Sequence, residues 1–288
     1  MAMAVWNASN FTKQSGLQSE TLQGGDKNAK HAYGTIKYKT EIMKILVIGG
    51  TGLIGRQLVN KLSKAGHNVK AGSPSTGVDI LTGKGLAEAL KDTEVVIDVS
   101  NSPTPDDEVA IHFFRKAGEN LAAAEKAAGV KHHLILSIVG TDVAPYIGYL
   151  QAKKEQEDTI KQSGIPFTIV RATQFHEHIT TLVGFGTKDN EVHISTLDYQ
   201  PIAAEDVVAY LAKAAVEAPL NNTVEIAGPD RAPMPEFVKT YLKAKADNKT
   251  VVANDENRYF VHTIPKAALV PAGSFIAGNL RFEDWANN

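Results

Sequence analysis

Residues 49–55 (GGTGLIG) place glycines at 49, 52 and 55 directly behind an apolar run and ahead of a helix-like stretch. Each glycine has its own use. One lets the chain turn tightly, the next lets backbone N–H groups approach a pyrophosphate, and the third lets helix and strand pack closely. The chemistry on offer is anion binding, with Gly49, Thr51, Gly52, Leu53 and Ile54 at the phosphates and the helix N-terminus facing them. The same spacing also serves an ordinary strand-to-helix turn. The strand before it, the helix after it and the units that follow are what predict a nicotinamide dinucleotide site. Roughly 20 residues further on, sites that take NAD carry Asp or Glu against the ribose hydroxyls. Here residues 69–76 read VKAGSPST. Ser73, Ser75 and Thr76 can donate to a 2′-phosphate that no carboxylate repels. No arginine stands there, and Lys70 lies inside the strand. NADP(H) is expected in preference to NAD(H), which stays open. A second cluster, His176, Glu177 and His178, has its histidines two apart and lacks the His-Glu-x-x-His spacing of a helical zinc site, so no metal is expected. A pocket or capping role suits it better, with His176 on the substrate side. The absence of cysteine excludes disulfides, thiolate nucleophiles and cysteine metal sites.

The elements that must position this turn are legible from periodicity. After Met43 come the apolar run Lys44–Ile48, the glycines and a helix over residues 53–65 stopped by Gly66. A strand at 67–71, a short helix at 85–90 and a β-branched strand at 94–99 follow. The next helix is long, with Val109, Phe113, Ala117, Leu121, Ala124 and Ala128 read as one face and Gly129 as its stop. A strand at 133–137, a helix at 148–162 and a strand at 166–171 continue the series. Strands alternating with crossover helices predict an α/β fold of the Rossmann type, a doubly wound parallel sheet. Regularity then weakens: helices at 204–218 and 235–246 are separated by short strands at 224–227 and 251–252. Residues 43–172 are read as the NAD(P)-binding domain and 173–288 as a C-terminal α/β region, packed on it, that binds substrate. Residues 1–42 are polar and aperiodic, and are read as a disordered leader or expression tag before a natural start at Met43, the alternative being a native arm.

A net charge of −2 over 288 residues gives no footprint for nucleic acid or a membrane surface. No apolar run approaches the roughly 18 residues of a spanning helix, and no secretory signal opens the chain. A soluble, cytoplasmic protein acting on a small molecule is expected, with a homodimer allowed by the helices that flank such sheets.

The residues also carry a resemblance. Residues 43–55 (MKILVIGGTGLIG), 78–80 (VDI), 134–137 (LILS), 171–175 (RATQF), 225–229 (EIAGP) and 282–285 (FEDW) resemble the NmrA-like branch of the atypical short-chain dehydrogenase/reductases. The resemblance implies that Asp79 and Ile80 flank the adenine, that Ser100, Asn101 and Ser102 pass under the cofactor, and that Ala172, Thr173 and Phe175 lie beside the nicotinamide. Asp79 also reads as a turn residue, and residues 101–103 as a capped strand-to-helix loop. Short-chain dehydrogenases use a tyrosine as acid/base, a lysine four residues later that lowers its pKa and holds the cofactor ribose, and an upstream serine that orients the substrate carbonyl. Tyr149, Lys153 and Ser137 match that set, and a separation of four puts phenol and ammonium on one helical face. Spacing alone selects nothing, because Tyr33 with Lys37 and Tyr241 with Lys245 share it. Only Tyr149 follows the strand series at the required place. The implied activity is NADPH-dependent hydride transfer to a small carbonyl or quinone. Alternatives are a cofactor sensor without turnover and a sugar-nucleotide epimerase.

Overall fold

The run Lys44–Ile48 forms β1, and its alternation sorts its side chains between the two faces of a sheet. Ile45 and Val47 join one apolar cluster, Leu46 and Ile48 another, and all four are buried. The computed structural model describes residues 41–104 and 106–288, so the reading of residues 1–42 falls, save its last two positions, outside the described residues. From Glu41 to Asn288 the chain forms one compact unit.

After β1 come α1 (Leu53–Lys64), β2 (Asn68–Gly72), α2 (Leu86–Ala89), β3 (Val95–Asp98), α3 (Asp107–Ala128), β4 (His132–Ile138), α4 (Gly148–Ser163), β5 (Phe167–Ala172) and α5 (Ile179–Gly186). The rest comprises β6 (Thr187–Lys188), β7 (Glu191–Ser195), β8 (Asp198–Tyr199), α6 (Ala204–Ala215), β9 (Asn222–Ala227), β10 (Ala232–Pro233) and α7 (Met234–Ala244). It ends with β11 (Thr250–Asn254), β12 (Arg258–Tyr259), β13 (His262–Thr263), β14 (Ile276–Ala277) and α8 (Phe282–Ala286). Seven strands make one sheet in the order β14-β9-β5-β4-β3-β1-β2, and every pairing in it is parallel. β2 and β3 lie on opposite sides of β1. The crossovers reverse there, opening a crevice at the carboxyl ends of β1 and β3, where open α/β sheets bind ligands. α1 and α6 cover one face, and α2 and α3 the other.

Two expectations for this frame need correction. α3 buries Ala110, Phe114, Ala117, Gly118, Leu121 and Glu125, whereas Val109 is 41% exposed. The packing face is rotated by about one residue because Gly118 lets α4 approach, with Thr159 against it, and because Glu125 is drawn inward. Its partner explains the second correction. The strand expected from residue 133 begins one residue earlier, and His132 and His133 are buried β4 residues. His133 Nδ1 lies 2.8 Å from the Glu125 carboxylate, and His132 Nε2 lies 3.0 Å from Thr168 Oγ1. Burial pulls His133 down, and the Glu125 charge reverses that and holds the imidazole above its ordinary range.

Candidate functional site

The turn after β1 is built as its glycines require. Gly49 adopts φ 76°, and a Cβ there would lie 2.7 Å from Val99 O; its N–H donates to Gly72 O at 2.9 Å. At Gly55 a Cβ would meet Gly49 O at 2.1 Å, so α1 and the turn touch backbone to backbone. Gly52 is the N-cap of α1, which has no side-chain cap and no acidic residue in its first turn. Thr51, Gly52 and Leu53 are exposed, and Ile54 is buried. This is an open helix N-terminus, electrostatically suited to phosphate. Across the crevice, Ser100 Oγ, Ser102 Oγ, Thr141 Oγ1, Thr173 Oγ1 and both polar atoms of Gln174 are buried without a hydrogen-bond partner. Such orphans are rare in a finished interior. They sit after β3, β4 and β5 at the same carboxyl edge, and a polar dinucleotide laid along it would satisfy them.

The ribose end is more closed than the sequence suggested. Ser73 is buried and caps a 3-10 turn, Pro74–Thr76, with its hydroxyl 2.9 Å from Ser75 Oγ. Thr76 gives its proton within the loop, to Ala71 O or Ser73 O. Ser75 is exposed. Lys70 Nζ donates to Ala89 O, away from this loop. Asp79, expected at the adenine and also readable as a turn residue, closes a turn: its carboxylate accepts from Leu81 N at 2.9 Å and Thr82 Oγ1 at 2.8 Å, and the Thr82 hydroxyl holds it below the usual carboxylate range. Ile80 packs in the core.

α4 carries Tyr149 and Lys153, but they do not pair. The Tyr149 hydroxyl donates to Asn101 Oδ1 at 2.9 Å. Lys153 is buried under the helix; its Nζ donates to Leu136 O at 2.8 Å and Gln156 Oε1 at 2.5 Å and lies 4.5 Å above the Phe114 ring. Burial pushes the Tyr149 phenol up to about 12 and the Lys153 ammonium down to about 8, the latter against the pull of Asp98 and Glu157. The expected lowering of the phenol by its lysine is therefore not what this geometry produces. Sequence reasoning missed the support beneath. Gln156 Nε2 donates to Asp98 Oδ2 at 2.8 Å, and Asp98 Oδ1 accepts the Ser100 N–H at 2.9 Å. One hydrogen-bonded chain thus runs from the loop after β3 to the lysine.

The Ser137 hydroxyl, expected to hold a substrate carbonyl, is buried and already engaged by the fold. It donates to Glu157 Oε1 at 2.6 Å, and Arg171 grips the same carboxylate through Nε at 2.8 Å and Nη2 at 2.7 Å while also pairing with Asp142. Ala172 and Thr173 are buried at the end of β5, and half-buried Phe175 bridges to Ile202. His176 is corrected most plainly. It is fully buried, Nε2 is 3.0 Å from Pro201 O, and its ring packs on Phe282 and Trp285, so it ties α8 to the sheet edge. His178 faces the opposite way, toward Tyr259. Neither imidazole belongs to a group of metal-ligating side chains among the described residues. The groove of about 380 Å³ along α3, lined by Ile111, His112 and Arg115 among others, lies apart from this crevice. Among the described residues no helix is long and apolar enough to cross a membrane.

Comparison with known proteins agrees with the frame. The chain is 33% identical over 145 residues to a (4-alkanoyl-5-oxo-2,5-dihydrofuran-3-yl)methyl phosphate reductase of Streptomyces griseus, a match covering 46% of this chain and 48% of that protein. It thus spans about half the length of that relative. It is 24% identical over 264 residues to the photosystem II assembly factor Ycf39 of Synechocystis, covering 85% of this chain and 77% of that one. A dTDP-4-dehydrorhamnose reductase from Bacillus anthracis, solved with NADP, superposes with a TM-score of 0.68 at 15% identity over 85% of this chain and 97% of that one, a likeness of fold. The family model described as NAD(P)H-binding matches residues 49–218, more than half of the sequence, and the chain belongs to that NAD(P)H-binding family.

Proposed function

We propose that the chain is an NADPH-dependent reductase of a small carbonyl or quinone, its residues 43–172 holding the dinucleotide and 173–288 supplying the substrate side. The observation that carries the reading is the Tyr149 hydroxyl at the carboxyl edge, bonded to Asn101 beside the crevice. A relative named as a reductase supports it, the Streptomyces griseus phosphate reductase, as does the likeness to an isoflavone reductase-like protein of Olea europaea, 31% identical over 160 residues.

The bound cofactor would supply hydride; everything else falls to this chain. The α1 N-terminus and the Gly49 turn bind phosphate. The loop 100–102 and Thr173 orient the rest through the hydroxyls that lack partners. Ser75, exposed and with no carboxylate in its loop, supports the preference for a 2′-phosphate. Tyr149 stays protonated at neutral pH, because its pKa near 12 is far above it. The protonated phenol is the form that can donate to a substrate oxygen gaining negative charge, and its raised pKa makes it a weaker acid than a free tyrosine. Lys153 contributes a positive charge under the site for as long as it remains protonated.

Incubation with NADPH and a panel of quinones and aldehydes should oxidise the cofactor, with NADH bound more weakly in titration. Tyr149→Phe should cut carbonyl reduction by about 10²–10⁴-fold while leaving NADPH affinity within about twofold. The pH profile separates the two α4 groups. Lys153 loses its proton as pH rises through about 8, so kcat/KM should fall above that value, whereas titration of Tyr149 alone would leave it flat to beyond pH 10.

A sensor without turnover is the second reading. It is favoured by the engagement of Lys153 with Leu136 O and Gln156 instead of Tyr149. Tight NADPH binding with no oxidation by any acceptor would establish it and remove the first.

A further inference from the structure

The hairpin β12–β13 contains a feature the cofactor site does not use. Its two-residue connection is Phe260 and Val261, and Phe260 takes φ 53°, a left-handed conformation that suits glycine or asparagine and strains a bulky aromatic residue. Such outliers persist where the surroundings over-determine them, and they concentrate at ligand clamps. What holds Phe260 is a ring cluster. Its centroid lies 4.8 Å from Tyr259, 5.0 Å from Phe185 of α5 and 5.7 Å from His178. The Tyr259 hydroxyl and His178 Nε2 are 2.8 Å apart. The cluster is not sealed: Phe260 and Tyr259 are half-buried, Phe185 is 59% exposed and Val261 71%.

The hairpin is also fastened to the candidate site. The Tyr146 hydroxyl, just ahead of α4, donates to Thr263 O at 3.0 Å. Tyr149, Tyr259 and Phe260 pack against one apolar cluster with Ile147, Leu150, Ile179 and Leu182. Burial raises the Tyr259 pKa, and the nearby Tyr149 phenol adds to the rise. The open rings therefore border the place where a substrate would meet the Tyr149 hydroxyl. Burial lowers the His178 pKa, so at neutral pH the imidazole brings no charge to a wall that is otherwise aromatic.

We propose that Phe260, Tyr259, Phe185 and His178 form the substrate-recognition wall, and that it binds the planar, uncharged conjugated part of a carbonyl or quinone substrate edge-on or by offset stacking. Phe260 is its central contact, and the hydrogen bond between Tyr259 and His178 sets the ring beside it. This deepens the reductase reading and rests on it for the word substrate. A phosphorylated or anionic group would find no cation among these four side chains, which separates this wall from the phosphate-binding turn on the other side of the crevice.

The probe is 1,4-naphthoquinone, with diacetyl as a small aliphatic comparison, on the full chain loaded with NADP⁺ for binding and NADPH for turnover. Phe260→Gly is the informative variant, because glycine adopts φ 53° without strain and the hairpin keeps its course. It should weaken naphthoquinone binding, read by fluorescence quenching, by about three- to tenfold, the scale of one aromatic contact. It should raise the KM for that acceptor by the same factor and leave NADPH affinity unchanged. Tyr259→Phe, which breaks the bond to His178, should have a smaller effect in the same direction. Unchanged naphthoquinone affinity in Phe260→Gly, with its thermal transition intact, overturns the wall. Absence of NADPH oxidation by either acceptor, with the binding loss still present, overturns the reductase reading and leaves the wall standing.

Discussion

Gly55→Ala should lose NADPH affinity by about two orders of magnitude, the scale on which a displacement near 1 Å is felt in a pre-arranged site. The new Cβ would stand 2.1 Å from Gly49 O and 2.7 Å from Gly50 Cα, both backbone atoms that no rotamer change can clear. Gly49 and Gly50 cannot retreat, because their N–H groups donate to Gly72 O. α1 must therefore move out and take its free N–H groups with it. Overpacking of this kind costs about 1–3 kcal/mol of stability as well. Gly52→Ala is the control on the same motif. Its N-cap φ and ψ, −76° and −177°, suit any residue, and its Cβ would meet Gly49 O at 3.3 Å. It should fold with little change in Tm yet bind NADPH more weakly, since the methyl enters the approach of the phosphates. Fluorescence titration beside a thermal melt reads both. Wild-type affinity in Gly55→Ala would remove the turn from the cofactor site.

The contrast between the two ends of the crevice shows what a sequence can carry. The glycine turn was readable because its constraints are local: three glycines at fixed spacing, a strand behind them, a helix ahead. The strand series was readable for the same reason, as Ile45 and Val47 alternate with Leu46 and Ile48 however the rest of the chain folds. What escaped reading depends on partners far along the chain. Glu125 and His133 gave no sign of pairing until α3 and β4 were placed together. Gln156 and Asp98 lie 58 positions apart, and a neutral glutamine in a charge-rich stretch gives no hint that it supports a lysine. His176 was placed on the substrate side because of where it follows β5; the 3-10 turn over residues 176–178 instead directs His176 into the interior and His178 toward Tyr259. Tyr259 and Phe260 had no signal beyond an aromatic pair in an irregular tail, since positive φ at a phenylalanine cannot be read from composition.

Glu157→Gln is the second change expected to act strongly, and through stability. The carboxylate is fully buried and accepts from Ser137 Oγ, from Arg171 twice and, at 3.5 Å, faces Lys161. Glutamine keeps the shape but replaces one acceptor oxygen by an N–H₂ that must point at a guanidinium or a hydroxyl. Arg171, whose pKa its two carboxylates raise against the pull of burial, keeps only half-exposed Asp142. Removing one partner of a buried pair costs about 3–5 kcal/mol, because the charge left behind is no longer compensated. For a chain of this size that corresponds to a Tm lower by roughly 6–20 °C. The double change Glu157→Leu with Arg171→Met should recover part of the loss, since it removes both buried charges together and Asp142 can return to water. Thermal and urea unfolding of the two singles and the double measure the coupling. A strictly additive double would mean that Glu157 and Arg171 stabilise the fold independently. The position of the pair gives the result a functional reading too. Glu157 lies one helical turn beyond Lys153, and Arg171 is the penultimate residue of β5, two before Thr173. The bridge therefore clamps the helix that carries Tyr149 and Lys153 onto the strand that delivers the far side of the crevice. If that is its purpose, Glu157→Gln examined well below its Tm should retain NADPH affinity, set by α1 and the glycine turn, while turnover falls, because only the second quantity depends on where α4 sits over the sheet.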